Sequence, residues 1–292
     1  MVKYITFILM LLFFFISKPS FALGKLGHQI VCQLAYENLS ETNQNKITVL
    51  INAIPKEHQR LINHYNYKNS NEKISFANAC TWADAIKRLE NFKSYNAWHY
   101  MNVPRSQKKV KEDDCQSRCI TQAILEHQKA LSYAEHTNIW QQTKALLFLG
   151  HWLGDIHQPL HVSFQDDLGG NRIKFSHLDT KCKNLHQYWD VCILYKGKQS
   201  KQKWLTLLRD NWLQGKQPNW HKEQVWQWAD ESFQIVRESE FQYCIINNQG
   251  RCQKPQQKIK LPKGYLLHYQ KVMKNRLLLA SHRLANILEA SL

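Results

Sequence analysis

Histidine and aspartate recur four residues apart at two places in this chain, His151-Trp-Leu-Gly-Asp155 and His186-Gln-Tyr-Trp-Asp190. Four residues is close to one helical turn, so each pair stacks on one face and presents imidazole nitrogen beside carboxylate oxygen. His161 follows the first pair across Pro159, just beyond the point where that helix must end. Gly150 and Gly154 flank these residues in a stretch otherwise filled with Leu, Phe and Trp, which implies that something approaches this face closely. His28, Asp84 in Thr81-Trp-Ala-Asp84 and His99 in Trp98-His-Tyr100 complete a set of five histidines and three aspartates with marked local settings.

Imidazole nitrogen and carboxylate oxygen without thiolate is the ligand set of a catalytic zinc site, which keeps positions open for water and substrate. Eight side chains are too many for one ion. A cluster of two or three, with Asp155 bridging a close pair, would use them all. His157 lies two residues from Asp155 and points off that face, so it is read as structural, together with His177, His221, His268 and His282.

The elements that must position these groups read as mainly helical. Apolar spacing predicts helices over 29–39, 46–54, 79–88, 119–136, 138–157, 220–238 and 264–288. The helix over 79–88 places Asp84 on a face with Lys87 and Arg88. The rest of 41–75 is polar and rich in Asn and Lys, and 97–104 reads as extended toward Pro104. Residues 169–175 form a turn and the best strand candidate, and 244–252 a disulfide-closed hairpin.

The first 22 residues read as a secretory signal peptide: Lys3, an apolar run from Ile5 to Ile16, then a small-residue site at Ser20 and Ala22. Removal leaves 23–292 as a single domain beginning at Leu23, secreted or periplasmic, with no stable membrane association and expected to be a monomer. Eight cysteines suit a disulfide framework. The pairs Cys115/Cys119, Cys182/Cys192 and Cys244/Cys252 read as local staples, which leaves Cys32 with Cys80 by elimination. A formal charge of +16 suits a polyanionic partner such as nucleic acid or an anionic membrane surface, and suits a generic basic secreted protein equally well.

Gly-x-x-Gly-His28, Thr-Trp-Ala-Asp84, Trp-His99-Tyr, His151-Trp-x-Gly-Asp-x-His-Gln-Pro-Leu-His161, Gly-Gly-Asn171 and Asn-Leu-His186-x-x-Trp-Asp190, in this order, resemble the zinc-dependent single-strand nucleases typified by the fungal nucleases S-one and P-one. The resemblance covers nearly the whole mature chain. It implies a mainly α, single-domain, disulfide-bonded fold shared with phospholipase C, carrying a short β-hairpin or two, and three zinc ions per chain. Asp84, His99, His151 and Asp155 would hold the first zinc, and His161, His186 and Asp190 a second. A third would be held by His28, Asp155 and the amine and carbonyl of Leu23, where family members usually begin with Trp. Asp84, Lys87 and Asp155 would be catalytic. Substrate would meet Lys87 at the phosphate, Tyr100 and Asn102 at the base, and Asn171. The implied substrates are single-stranded DNA, RNA and 3′-nucleotides, cut by a metal-activated hydroxide to leave 5′-phosphates. Asn102 replaces the usual acidic residue, which leaves base preference open. A zinc-dependent phospholipase C is the alternative. Asp190, where that pattern usually has Glu, and the lack of an added lipid-binding domain at the C-terminus favour the nuclease.

Overall fold

The computed structural model describes residues 23–292 except 116–117, 134–137, 176–180, 196–198, 213–220 and 223. The expected signal peptide, His177 and the adjoining ends of the helices expected over 119–136 and 220–238 lie outside the described residues.

The chain is organised around one helix, α7 (Ile139–Ile156), whose N-terminus is capped by the Asn138 side chain accepting from the Gln141 amide at 2.9 Å. From Ala145 to Ile156 every residue is buried, because Leu, Phe and Trp occupy all its faces. Such a helix needs cover on every side. It is packed by α1 (Lys25–Glu37), α2 (Glu41–Asn52), α5 (Trp82–Ile86), α6 (Ile120–Ser132), α11 (Gln224–Arg237) and the 27-residue α12 (Tyr265–Ser291). The remaining helices are α3 (Lys56–Tyr65), α4 (Phe76–Ala79), α8 (Leu185–Gln187), α9 (Ile193–Tyr195) and α10 (Lys201–Trp212). A π-helical turn, Tyr188–Cys192, joins α8 to α9.

Strands are short. β1 (Met101–Val103) pairs in parallel with β2 (Val162–Phe164), and β3 (Lys174–Phe175) in parallel with β6 (Lys258–Ile259). β4 (Ile245–Ile246) and β5 (Cys252–Gln253) form the expected hairpin, the one antiparallel strand pair among the described residues. All four expected disulfides are present: Cys32–Cys80, Cys115–Cys119, Cys182–Cys192 and Cys244–Cys252.

Four expectations need correction. The polar stretch 41–75 holds two helices, since α2 starts at Glu41 and α3 follows it; the inward face of α3 is His58, Ile62 and Asn63, which apolar spacing does not register. The helix expected over 79–88 is two, α4 and α5, interrupted at Cys80 and Thr81, where Cys80 is tied to Cys32 and the Thr81 hydroxyl donates to Asn78 O. The segment 97–104 enters through a 3₁₀ helix, Glu90–His99, before extending as β1. The strand expected within 169–175 forms as β3 but is only two residues long, and the fully buried β2, for which no expectation was made, pairs with β1 beside the metal-ligand candidates.

Candidate metal centre

The close approach implied by Gly150 and Gly154 is real, and two neighbours make it. A β-carbon at 150 would sit 2.6 Å from Cys80 Sγ and 2.9 Å from Cys32 Sγ, and one at 154 would sit 2.6 Å from His28 Nδ1. The first glycine therefore admits the Cys32–Cys80 disulfide and the second admits the His28 ring. That brings α1 and the Cys80 bend onto the face of α7 bearing His151 and Asp155. The ring of His28 stacks on that of His151 with centroids 3.7 Å apart.

Asp155 lies at the middle of the cluster, fully buried, with its oxygens serving different neighbours. Oδ1 is 3.1 Å from the backbone nitrogen of Leu23 and 3.3 Å from His28 Nε2. Oδ2 is 2.9 Å from His99 Nδ1 and 3.2 Å from His151 Nε2. This is the disposition of a carboxylate that bridges two sites. His161, on the 3₁₀ turn Pro159–His161, faces His186 and Asp190, which the π-helical turn carries; His186 Nε2 is 3.3 Å from Asp190 Oδ2 and His161 Nε2 is 3.4 Å from Asp190 Oδ1.

Three groups of ligand atoms lie close enough to share an ion: His28, Asp84 and His151; His99, His151 and Asp155; and His161, His186 and Asp190. The last is the set expected for the second zinc. The set expected for the first is divided between the other two groups, with His151 common to both. Leu23 reaches the cluster through its backbone nitrogen, 3.1 Å from Asp155 Oδ1.

Backbone carbonyls orient three of the rings. His151 Nδ1 lies 2.8 Å from Cys80 O, His161 Nδ1 2.7 Å from His99 O, and His186 Nδ1 2.7 Å from Gly169 O. A ring whose Nδ1–H donates to a carbonyl keeps Nε2 as a lone-pair donor, the tautomer a metal needs. The buried polar atoms without a hydrogen-bond partner include His28 Nδ1 and Nε2, His161 Nε2, His186 Nε2 and Asp190 Oδ2. Leaving so many buried polar atoms unsatisfied would be costly, whereas nitrogen and oxygen lone pairs converging in small groups fit divalent zinc.

Charges within the cluster are strongly coupled. Burial raises the carboxyl of Asp155, yet His161, His151 and His28 outweigh it and hold the group well below the usual carboxylate range. Burial likewise raises Asp84, but Lys87 and His151 lower it further. Burial depresses His99 to about 4 despite its bond to Asp155, and it depresses His28 and His186. At His161 burial is outweighed by Asp155 and Asp190, which raise it to about 9.

The substrate-side candidates lie around this cluster. Lys87 Nζ is 2.8 Å from Asp84 Oδ1, so its charge is already shared with a metal-ligand candidate. Tyr100 is 38% exposed, the one aromatic of its segment that combines such access with a position beside His99. Asn102 sits on β1 opposite Ser163, and Asn171 donates to Leu168 O at 2.9 Å. Sequence reasoning missed two positioning groups. The Tyr65 hydroxyl donates to Asp84 Oδ2 at 2.9 Å, and nothing local marked it. Gln158 donates to Asp190 Oδ1 and accepts from the Leu160 amide, both at 2.6 Å; a buried amide inside the central His-to-His motif was a usable signal.

Comparison with known proteins identifies the family. Residues 23–292 match the family model described as S1/P1 Nuclease. Endonuclease 2 of Arabidopsis thaliana is 33% identical over 181 residues, 59% of this chain and 56% of that protein. Endonuclease 5 of the same plant is 34% identical over 182 residues, covering 59% and 56%. Nuclease S1 of Aspergillus oryzae is 27% identical over 181 residues, covering 60% and 56%. The chain thus spans a little over half the length of the curated relatives it matches. With the family model matched over residues 23–292, the chain belongs to the S1/P1 nuclease family.

Proposed function

We propose that this chain is an exported zinc-dependent nuclease, a single domain over 23–292 once residues 1–22 are removed, acting on single-stranded DNA and RNA and on 3′-nucleotides. The observation that carries the reading is the convergence of buried ligand atoms from five histidines and three aspartates about Asp155, with His28, His161, His186 and Asp190 each keeping a ligand atom that has no hydrogen-bond partner and the Leu23 nitrogen 3.1 Å from Asp155 Oδ1. Leu23, His28, Asp84, His99, His151, Asp155, His161, His186 and Asp190 would hold three ions. Zinc, when bound, supplies Lewis acidity and activates water at neutral pH.

The chain's own residues do the rest. Asp155 holds the two neighbouring ligand groups at fixed separation, and Lys87 and Tyr65 hold both oxygens of Asp84. Lys87 also supplies positive charge beside the scissile phosphate. Tyr100 offers a ring face to a base, and any base can stack there, which suits broad sequence range. The Asn102 amide can donate and accept toward that base, and Asn171 follows the Gly169–Gly170 turn, whose Gly169 carbonyl meets the His186 ring. A base must leave its stack to reach Tyr100, so single strands are favoured over duplexes. Hydrolysis adds water across phosphorus, breaks the bond to the 3′ oxygen, and leaves a 3′-hydroxyl and a 5′-phosphate.

The test is zinc counting on purified mature protein alongside hydrolysis of single-stranded DNA, RNA, 3′-nucleotides and phosphatidylcholine. About three zinc ions and 5′-phosphate ends are expected. Products bearing 3′-phosphate would contradict cleavage of the bond to the 3′ oxygen, and activity confined to phosphatidylcholine would assign the protein to the phospholipases.

A further inference from the structure

Asp167 is fully buried and belongs to none of the three ligand groups, yet both of its oxygens are engaged. Oδ1 accepts from the Gly170 amide at 2.9 Å and from the Tyr243 hydroxyl, and Oδ2 accepts from Arg105 Nη2 at 2.8 Å. These donors come from three distant parts of the chain: Arg105 follows β1, Gly170 lies in the turn after β2, and Tyr243 precedes the Cys244–Cys252 hairpin. Arg105 fastens the last of these a second time, donating through Nη1 to Tyr243 O at 2.9 Å, and lays its guanidinium 3.9 Å from the ring centroid of Phe164 on β2. A buried ion pair is a weak source of stability, because desolvation offsets much of its attraction. What this one supplies is position.

The turn it holds is strained. Leu168, Gly169 and Gly170 take φ of 57°, 61° and 77° in succession, and a left-handed backbone at Leu168, whose side chain is 47% exposed, is repaid by no burial of its own. Such strain persists only where the surroundings over-determine the backbone. Here the Gly169 amide donates to Phe164 O and the Arg172 amide to Asp167 O, both at 3.1 Å, while the Asp167 side chain takes the Gly170 amide. The Gly169 carbonyl and the Gly170 amide are two ends of one planar peptide unit. Its N–H end is held by Asp167, and its oxygen lies 2.7 Å from His186 Nδ1. A peptide unit between two glycines meets little steric resistance to turning over, so it needs a restraint to keep that oxygen on the ring.

We propose that Asp167 is a positioning residue for the metal site of His161, His186 and Asp190: by holding the Gly170 amide it fixes the Gly169–Gly170 peptide, whose oxygen keeps the His186 ring turned with Nε2 toward Asp190. The proposal rests on reading those three residues as a zinc site. With the peptide fixed, Nδ1–H of His186 has an acceptor and Nε2 keeps its lone pair for an ion. Without Asp167 the peptide is free to turn, the ring loses its acceptor, and this one ion is held more weakly. His28, Asp84, His99, His151 and Asp155 make no use of this peptide, so the ions they hold should not respond. Arg105 and Tyr243 act one step further out, as the groups that place the Asp167 carboxylate.

The experiment titrates zinc, buffered by a chelator, into stripped mature protein and records the visible absorption of the cobalt(II) form, for wild type, Asp167→Ala, Asp167→Asn and, to identify the ion concerned, His186→Ala. Asp167→Ala should weaken the ion that His186→Ala removes by about 10–100-fold, leave the others within about twofold, and change the cobalt bands. Asp167→Asn keeps an oxygen for the Gly170 amide, so it should bind that ion at least about threefold more tightly than Asp167→Ala and restore the bands. Both variants lose the charge facing Arg105, so their stripped forms should melt alike, and a difference in zinc affinity between them reports position rather than stability. Equal affinity for that ion in the two variants, equal weakening of every ion, or no weakening in Asp167→Ala overturns the proposal. Should Asp167→Ala fail to fold, Tyr243→Phe decides: it removes one donor to Oδ1 and keeps the ring, so the same ion should weaken about tenfold, and an affinity within about twofold of wild type overturns the proposal. If His186→Ala costs the protein no ion, the metal site itself falls, a failure distinct from that of Asp167.

Discussion

Gly154→Ala tests the centre where α1 meets α7. The added β-carbon would lie 2.6 Å from His28 Nδ1, 3.0 Å from its Cε1 and 3.2 Å from Leu23 Cδ2, where ordinary contact begins at 3.4 Å. The imidazole must therefore retreat by about 0.8 Å, the difference between those first and last distances. It has little room to do so, since it is fully buried and is stacked on His151. Elsewhere in a helix the same substitution would stabilise by about 1 kcal/mol through backbone entropy, while overpacking a core costs about 1–3 kcal/mol. Stability should accordingly fall by up to about 2 kcal/mol, a modest loss that leaves the protein folded. Activity should suffer far more, because a displacement near 1 Å in a catalytic constellation costs about a hundredfold in rate. Circular dichroism, elemental zinc analysis and turnover on single-stranded DNA read these separately. A folded variant is expected, short of about one zinc and roughly a hundredfold slower. Wild-type zinc content and turnover with a raised melting temperature would refute the placement of His28 in the metal centre.

Asp155→Asn should abolish most activity and deplete zinc, whereas His157→Ala should retain zinc: His157 bonds Leu153 O and Arg283 instead of the cluster, and Glu231 still pairs Arg283 after its loss. Equal loss of zinc in the two variants would mean that the ligand face of α7 has been misassigned. A form with an initiator Met ahead of Leu23 should fold and keep most of its zinc yet lose most activity, because the free amine that removal of residues 1–22 would place at Asp155 is then an amide; equal turnover of the two forms, their N-termini verified by mass, would remove Leu23 from the site. Zinc uptake by stripped protein should also expel a proton from His161. Because this ring is raised to about 9, its ion pairs stabilise the stripped fold fully below the unfolded value near 6.5 and are lost as pH rises through 9. Calorimetric zinc titration in buffers of different ionisation enthalpy should find about one more proton released at pH 7 than well above pH 9; the same release at both would contradict the raised ring.

Much of the ligand set was legible because its spacing coincides with helical geometry. His151 and Asp155 share a face of α7 whatever surrounds them, and the glycines between them announced a close neighbour whose identity only the tertiary fold supplies. The four disulfides could be paired from cysteine spacing and elimination because three pairs close loops of ten residues or fewer. Other features left no trace in local pattern. The inward face of α3 carries His58 and Asn63, so its helical repeat is disguised as polar sequence. Tyr65 reaches Asp84 across 19 residues, and β1 pairs in parallel with a strand some 60 residues away; both depend on how helices cross rather than on any neighbour in sequence.

The rings of His151, His161 and His186 each take their bearing from a peptide oxygen, at Cys80, His99 and Gly169 respectively. A peptide oxygen is present whichever amino acid occupies the position, so mutation at those residues cannot delete the acceptor; it can only move it. Where another metalloprotein would lose ligand alignment through a single aspartate-to-alanine change in its supporting layer, this one is exposed instead to whatever shifts the chain trace: breaking the Cys32–Cys80 link at the bend bearing one oxygen, or adding a side chain at Gly169, where φ is 61° and a β-carbon would press to 2.5 Å from Leu160 O. Damage to the alignment of these three rings should therefore arise at positions that carry no ligand chemistry of their own, whereas Asp84 and Asp190, held by the side chains of Tyr65, Lys87 and Gln158, stay sensitive to substitution of those partners.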